Sequence, residues 1–306
     1  MDFFIVTPSF NQLDQLKCCV ASVKDQVNTD IFVHHHIQDN DSSDGTIEFL
    51  RDYTSNHKLY PINNYQFSYS SSLDQGMYDA INIGWKSALN NNSKNFSYDI
   101  LSWINCDEQY LEDTLKKVSK WLLKNENKSL VFGNVLIIDE FYNLKSVRKI
   151  IKPFRNHVIS DHLPLFSAAM FIRSSLIKSK DLYLNTNYKN IADVELYLRI
   201  VKYGISIGII NQFLSTYMDS GKNLSLENTA NKEYNILRKN YSSYILLLKY
   251  LWILLHRFMK LIKGCYLPKS LHFSIYTHEC LGARQFRHHK LNFGIWFKRI
   301  SNKKQL

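Results

Sequence analysis

Proline and glycine are scarce in this chain, at 5 and 10 of 306 residues. That scarcity excludes collagen-like repeats and the Pro/Gly-rich low-complexity classes. Cysteine supplies no framework either. Cys18, Cys19, Cys106, Cys265 and Cys280 are odd in number and show no Cys-x-x-Cys spacing, so neither a disulfide scaffold nor a zinc knuckle is supported. The opening "MDFFIVTPSF" has no basic stretch and too short an apolar run for a signal peptide. A reducing cytosol is the expected compartment. No internal repeat and no long low-complexity linker occur.

What is present is a large apolar fraction, 45% hydrophobic residues, enough for one large domain or two compact halves sharing a sheet. The net charge of +11 is unevenly spread: residues 238–306 carry 14 Lys/Arg and the single acid Glu279, leaving residues 1–237 at −2. A nucleic-acid binder would carry its cations on the body, and here the body is nearly neutral.

From Phe3 onward, short apolar runs alternate with amphipathic segments, the pattern of strands crossing over through helices in a mostly parallel sheet. "FFIVT" reads as the first strand. Leu16, Val20, Val23 and Val27 follow at helical spacing, then "DIFVHHHIQ" as a second strand and "IEFLRDY" as a helix. After a polar stretch, Met77, Ile81, Trp85 and Ala88 mark another helix face before the strand "DILSWIN". "LEDTLKKVSKWLL" reads as a helix, "SLVFGNVLIID" as a strand, the basic segment to about Arg155 as irregular, "AAMFIR" as a strand and "DVELYLRIVKY" as a helix. The economical division is a catalytic domain over 1–237, split into 1–108 and 109–237, and a separate tail over 238–306.

Acids accumulate where strands end: Asp39 with Asp41 and Asp44, then Asp74, then Asp107 with Glu108. In open α/β sheets that edge is where ligands bind. Converging carboxylates repel one another and desolvate badly unless a cation compensates. A divalent Mg or Mn ion shared with a diphosphate would do so, since hard ions take oxygen ligands from one or two carboxylates and a substrate phosphate.

Four ordered blocks, "FIVTPSFNQ", "IQDNDSSDGT", "DQGMYDAINIG" and "SWINCDEQY", resemble the bacterial family 2 glycosyltransferases of the GT-A fold. By eye they are most similar to the colanic-acid, capsule and O-antigen polysaccharide-assembly enzymes. The likeness continues through "VFGNVLIID", "IADVELYLRI" and "SGKNLSLENTANKEYNIL", covering about residues 3–240. It implies a Rossmann-like central sheet flanked by helices. The activity it implies is inverting, metal-dependent transfer of a sugar, with UDP-sugars favoured as donors, to a cell-surface glycan or an undecaprenyl-diphosphate-linked acceptor.

The resemblance also implies site roles. Pro8 and Phe10 would run along the nucleotide, and Asp39 would accept a hydrogen bond from the base. Asp74 would line the donor pocket. "Asn105-Cys106-Asp107" stands in the place of the family's Asp-x-Asp motif, with Asn105 contacting ribose and Asp107 binding the metal. Asn105 departs from the usual acid but can still hydrogen-bond a hydroxyl. Asp193 matches the general base, ahead of Glu195, which lies around the helix from it. "HLPLFSAAMF" lacks the family's Cys-His-Gln and leaves His162 as a weak substitute. Ser225 would order an acceptor-side loop.

Several features have bland readings. Asp44 is a helix cap, and Asp107 and Asp193 could also cap helices. Asp79 and Asn82 could be solvated surface. His34 and His36 face one side of a strand and His35 the other, so the three cannot chelate together. Cys106 occupies space, and no role is assigned to Glu108.

In the tail, Lys249, His256, Arg257, Lys260 and Lys263 recur on one helical face of "SSYILLLKYLWILLHRFMKLIKG". Lys249 interrupts what would otherwise suggest a membrane span, which needs about 20 apolar residues. The pattern suits a helix lying on an anionic membrane, peripheral at the inner face of the cytoplasmic membrane, or one packed on the catalytic domain. Two alternatives stand beside the glycosyltransferase: a nucleotidyltransferase, for which "VTPSFNQ" lacks the Gly-rich phosphate loop, and a non-catalytic membrane or nucleic-acid binder.

Overall fold

Phe3 to Ser9 are all buried, as expected of a parallel strand covered on both faces. In the computed structural model, which describes residues 1–90, 97–220, 228–267 and 270–290, they form the central strand β1 (Asp2–Ser9). The first half continues with α1 (Leu13–Lys24), β2 (Phe32–Asp39), α2 (Thr46–Leu59), β3 (Tyr65–Ser71), α3 (Met77–Asn90) and β4 (Ile100–Trp103). The four strands are parallel in the order β3-β2-β1-β4. Ser9 pairs with Asp39 and Asp39 with Ser71, so these three strands end flush along one edge.

The second half adds β5 (Gln109–Tyr110), α4 (Thr114–Lys124), β6 (Leu130–Ile138), β7 (Leu144–Arg148), α5 (Arg155–Ser160), β8 (Met170–Arg173), α6 (Ser174–Lys180), α7 (Ala192–Lys202) and β9 (Ile207–Met218). It extends the sheet through β4-β8-β6-β9-β5, with β7 pairing β6. β8 and β5 run antiparallel to their neighbours. The result is an α/β fold with a mixed central sheet flanked by helices.

Alternate residues of β1 feed separate cores, as the two-residue period of a strand requires. Phe4 and Val6 join Ile81, Trp85 and Trp103, while Phe3 and Ile5 join Leu16, Val20 and Phe171. The histidines of β2 divide the same way. His35 bonds Thr7 Oγ1 at 2.9 Å, and His34 and His36 both reach Ser68 Oγ, at 2.7 and 2.9 Å.

Several expected boundaries are corrected. The polar stretch before α3 contains the edge strand β3, whose Tyr65 and Phe67 point inward. The helix read from Leu111 starts at Thr114, because Gln109 and Tyr110 first pair with β9. The basic segment to Arg155 holds β7.

The tail is not helical throughout. After α8 (Asn228–Arg238), α9 (Ser243–Leu247) and α10 (Lys249–Ile262), the hairpin β10 (Ser270–Thr277) and β11 (Cys280–Lys290) follows. Leu271, Phe273 and Ile275 of that hairpin pack with Leu136, Ile138 and Val147 of the body. Arg284 fastens it, donating to Asp25 Oδ1 at 2.8 Å and to the carbonyls of Tyr110 and Ser274 at 2.9 and 3.0 Å.

Arg284→Ala would remove these bonds, leaving Asp25 only its donors Gln26 and Tyr276, and loosen the hairpin. It should lower stability by about 2 kcal/mol, read as a fall in the urea midpoint; an unchanged midpoint would show that the hairpin is not part of the cooperative unit.

Candidate active site

The flush ends of β1 and β4, the loop before α3 and the first turn of α7 open onto one cleft of about 1300 Å³. Pro8, Phe10, Asp74, Asn105, Asp107 and Asp193 all line it. Of the residues expected at the site, Asp39 alone lies behind the wall, fully buried.

The floor is a four-residue turn, Asn105 to Glu108. The Glu108 amide donates to the Asn105 carbonyl at 3.1 Å, and the Asn105 amide donates to Glu108 Oε2 at 2.8 Å. The Cys106 thiol donates to the Pro8 carbonyl at 3.2 Å, tying the turn to β1. Glu108, which had no assigned role, therefore braces the turn, and Cys106 does more than fill space. Asp107 is not a helix cap, since α4 begins only at Thr114. Among the described residues its carboxylate receives no hydrogen bond from another side chain, and it faces the cleft.

Burial pushes the Asp107 carboxyl up to about 6. Burial, and then the adjacent Asp107 charge, push Glu108 upward as well. Asn105 Oδ1 and Glu108 Oε1 are buried with no hydrogen-bond partner. Two orphaned oxygens beside an underprotected carboxylate form an all-oxygen donor set. That set fits a hard divalent cation such as Mg or Mn, which would relieve the repulsion.

Asp193 comes from a different element. It sits inside the first turn of α7, whose N-cap position is Ile191. The Tyr78 hydroxyl of α3 donates to Asp193 Oδ1 at 3.0 Å. Burial raises the Asp193 carboxyl above its ordinary value, with the Tyr78 bond opposing. Glu195 is held by Arg199 Nε at 2.8 Å, one turn along the helix, and is absent from the lining. Asp193 is thus the carboxylate of α7 that can meet a substrate.

The remaining acids are structural to differing degrees. Asp44 accepts the amides of Leu13 at 2.9 Å and Thr46 at 3.1 Å, capping the starts of α1 and α2 together. Asp74 accepts the Gly76 amide at 2.7 Å and is joined to β2 by the Asn40 side chain, which takes the Asp74 amide at 2.8 Å. Gly76 makes this turn possible with φ of 111°, a left-handed conformation that glycine adopts without a steric penalty. Asp79 accepts the Gln75 amide at 3.0 Å, and Asn82 clamps Leu184 through two bonds of 2.8 and 3.0 Å. Neither is solvated surface.

Asp39 accepts the Ser42 amide at 2.9 Å, the Ser42 hydroxyl at 2.6 Å and the Ser71 hydroxyl at 3.0 Å. Ser225 lies outside the described residues. His157, Asp161, His256, Arg257 and Lys260 form the far wall of the cleft with His162. The sequence held one signal for this wall, the one-turn spacing of His157 and Asp161.

The model of "Glycosyl transferase family 2" matches residues 4–179, more than half of the chain. The chain belongs to glycosyltransferase family 2. Among solved structures, S. aureus TarS 1–349 in complex with UDP-GlcNAc is similar at a TM-score of 0.54 and 15% identity, over 74% of this chain and 61% of that one. The same protein in complex with UDP gives 0.52 and 14%, over 71% and 60%. S. aureus TarS 1–349 alone gives 0.52 and 16%, over 87% and 75%. At these identities the likeness is one of fold, and this chain spans about three-fifths of the TarS 1–349 chain in the two complexes. No curated protein shows significant similarity to the chain.

Asp107 also carries a stability prediction. Its folded value near 6 lies above the unfolded value near 4, so its destabilising effect is absent below pH about 4 and complete above pH about 6. Asp107→Asn should therefore stabilise the metal-free protein at neutral pH by roughly 1–3 kcal/mol, with the gain vanishing in acid. A lower melting temperature for the variant at neutral pH would contradict this.

Proposed function

We propose that the enzyme is an inverting, metal-dependent transferase that moves a sugar from a UDP-sugar to a cell-surface polysaccharide or a lipid-linked oligosaccharide of the capsule or O-antigen type. The observation that carries this reading is that Asp107 and Asp193, from different elements, line one cleft. A divalent ion held by Asp107, with Asn105 and Glu108 beside it, would neutralise the diphosphate as it departs. Asp193 takes the proton of the acceptor hydroxyl. The new bond from that oxygen to the anomeric carbon forms as the carbon–phosphate-oxygen bond breaks, and the nucleoside diphosphate leaves with the bonding pair. A carboxylate raised by burial is better matched to that proton than an exposed one.

The donor lies along Pro8 and Phe10, with Asn105 on ribose. Asp39, buried behind the cleft wall, holds Ser42 and Ser71 in place, so its part in base recognition is to order that wall and not to meet the base directly. Asp74 lies on the donor side. This reading keeps 1–237 as the catalytic domain and 238–306 as the associating tail, with the hairpin of that tail docked on the body.

The inner face of the cytoplasmic membrane is the proposed location. No helix among the described residues is long and apolar enough to cross a membrane. The face we assign to the membrane is the apolar one, which the packing alternative would have laid against the catalytic domain. Lys249 and Lys260 are half-buried and His256 is buried, on the side that meets α5, whereas Tyr250, Leu254, Phe258 and Ile262 are exposed at 77, 63, 58 and 61%. Exposed Arg257 and Lys263 accompany that apolar row, which suits insertion at an anionic lipid surface.

Two measurements test the reading. Asp193→Asn should abolish transfer while the protein still gains thermal stability from UDP-sugar and Mn; substantial turnover by the variant would remove Asp193 from the chemistry. In liposome flotation, the double change Leu254→Glu and Phe258→Glu should release the full-length protein from anionic vesicles. Equal recovery of both proteins with the vesicles would contradict membrane contact through α10.

A further inference from the structure

The far wall of the cleft holds a group that the transfer reaction leaves unused. His157 lies in α5, Asp161 follows one turn later at its end, and His162 is next. One ligand atom from each can be chosen so that all three lie within 4.8 Å of one another. His157 is only 2% exposed, and neither of its ring nitrogens makes a well-formed hydrogen bond, the nearest approach to one being to the backbone of Trp252. Buried polar atoms without partners are uncommon, and two on one ring call for a ligand.

The ring is fixed by its neighbours. His256 of α10 stacks on it at 4.3 Å with the planes 15° apart, and His162 meets it edge-on at 5.6 Å.

We propose that His157, Asp161 and His162 form a second metal site, for a divalent transition ion of the zinc class, at the wall where α10 meets α5. The donor set decides the class. Two imidazoles and one carboxylate are borderline ligands that favour zinc, whereas the all-oxygen floor around Asp107 favours Mg or Mn. Zinc–ligand bonds of about 2.0–2.1 Å in a tetrahedral site set ligand atoms about 3.3 Å apart, so the wider-spaced atoms, up to 4.8 Å apart, would close in and the Asp161–His162 pair would open. The ion would replace the Asp161–His162 contact of 2.7 Å and displace the Lys249 ammonium, which stands 3.7 Å from Asp161. Three protein ligands leave a fourth position open toward the cleft. The inference goes beyond the transfer reaction and does not depend on its substrates.

The test uses untagged full-length protein stripped with a chelator and titrated with zinc chloride alone, followed by metal analysis after gel filtration. Wild type and Asp107→Asn should each retain one zinc ion per chain and melt at a higher temperature with it. His162→Ala, at an exposed position where folding is not at stake, and the near-isosteric His157→Gln should each weaken zinc binding at least about tenfold. No retained zinc in wild type, equal affinity in His162→Ala, or loss of zinc in Asp107→Asn alone would each overturn the proposal.

Discussion

Carboxylates gathered at the flush edge of a parallel sheet cannot all ionise there unaided. Their burial, with the Asp107 charge added at Glu108, is the constraint on which the site depends. Asp107 and Glu108 are both driven toward their neutral forms, by burial and, for Glu108, by each other's charge. The chain keeps them in place by spending Glu108 on the Asn105 amide and the Cys106 thiol on the Pro8 carbonyl. Asp107 is left as the one acid of that turn lining the cleft, where a bound cation would turn an unfavourable cluster into a donor site.

Distance between roles matters as much as identity. Asp193 arrives on a different element, α7, and is oriented by Tyr78 from α3, so the acid that would hold a metal and the acid that would take a proton belong to separate halves of the sheet. Each half can then tune its own group: burial against orphaned oxygens for Asp107, burial against one phenol for Asp193. Glu195, two residues along, is neutralised by Arg199 and has no such freedom. Stability surrendered at this edge is regained in the two apolar cores that sandwich β1 and in the third core under the terminal hairpin.

Much of this was legible before the structure. The buried strands read clearly because they are continuous apolar runs, and Asp107 stands where one such run ends, whereas Asp193, at the start of a helix, is singled out by the family resemblance alone. What stayed hidden follows from tertiary context. β3 is an edge strand whose inward Tyr65 and Phe67 are separated by polar residues, so its period is diluted. β5 is two residues long and exists only because β9 pairs with it. The helical period of α10 groups Lys249, His256 and Lys260 with Arg257 and Lys263, but the last two are exposed beside the apolar row, and a period cannot say which face is covered. Here Asp161, the histidine wall and the cleft draw the Lys249–Lys260 face inward. The far wall itself was missed because His157, Asp161 and His256 acquire meaning only when α5 and α10 meet.

The central claim is that the cleft divides its labour, with Asp107 responsible for metal-dependent nucleotide binding and Asp193 for proton removal. Calorimetric titration of UDP into wild type, Asp107→Asn and Asp193→Asn, each with and without Mn, tests it without knowledge of the acceptor. The account predicts Mn-dependent binding in wild type, its retention in Asp193→Asn and its loss in Asp107→Asn. Binding of UDP that is indifferent to Mn, or that survives Asp107→Asn unchanged, would contradict it.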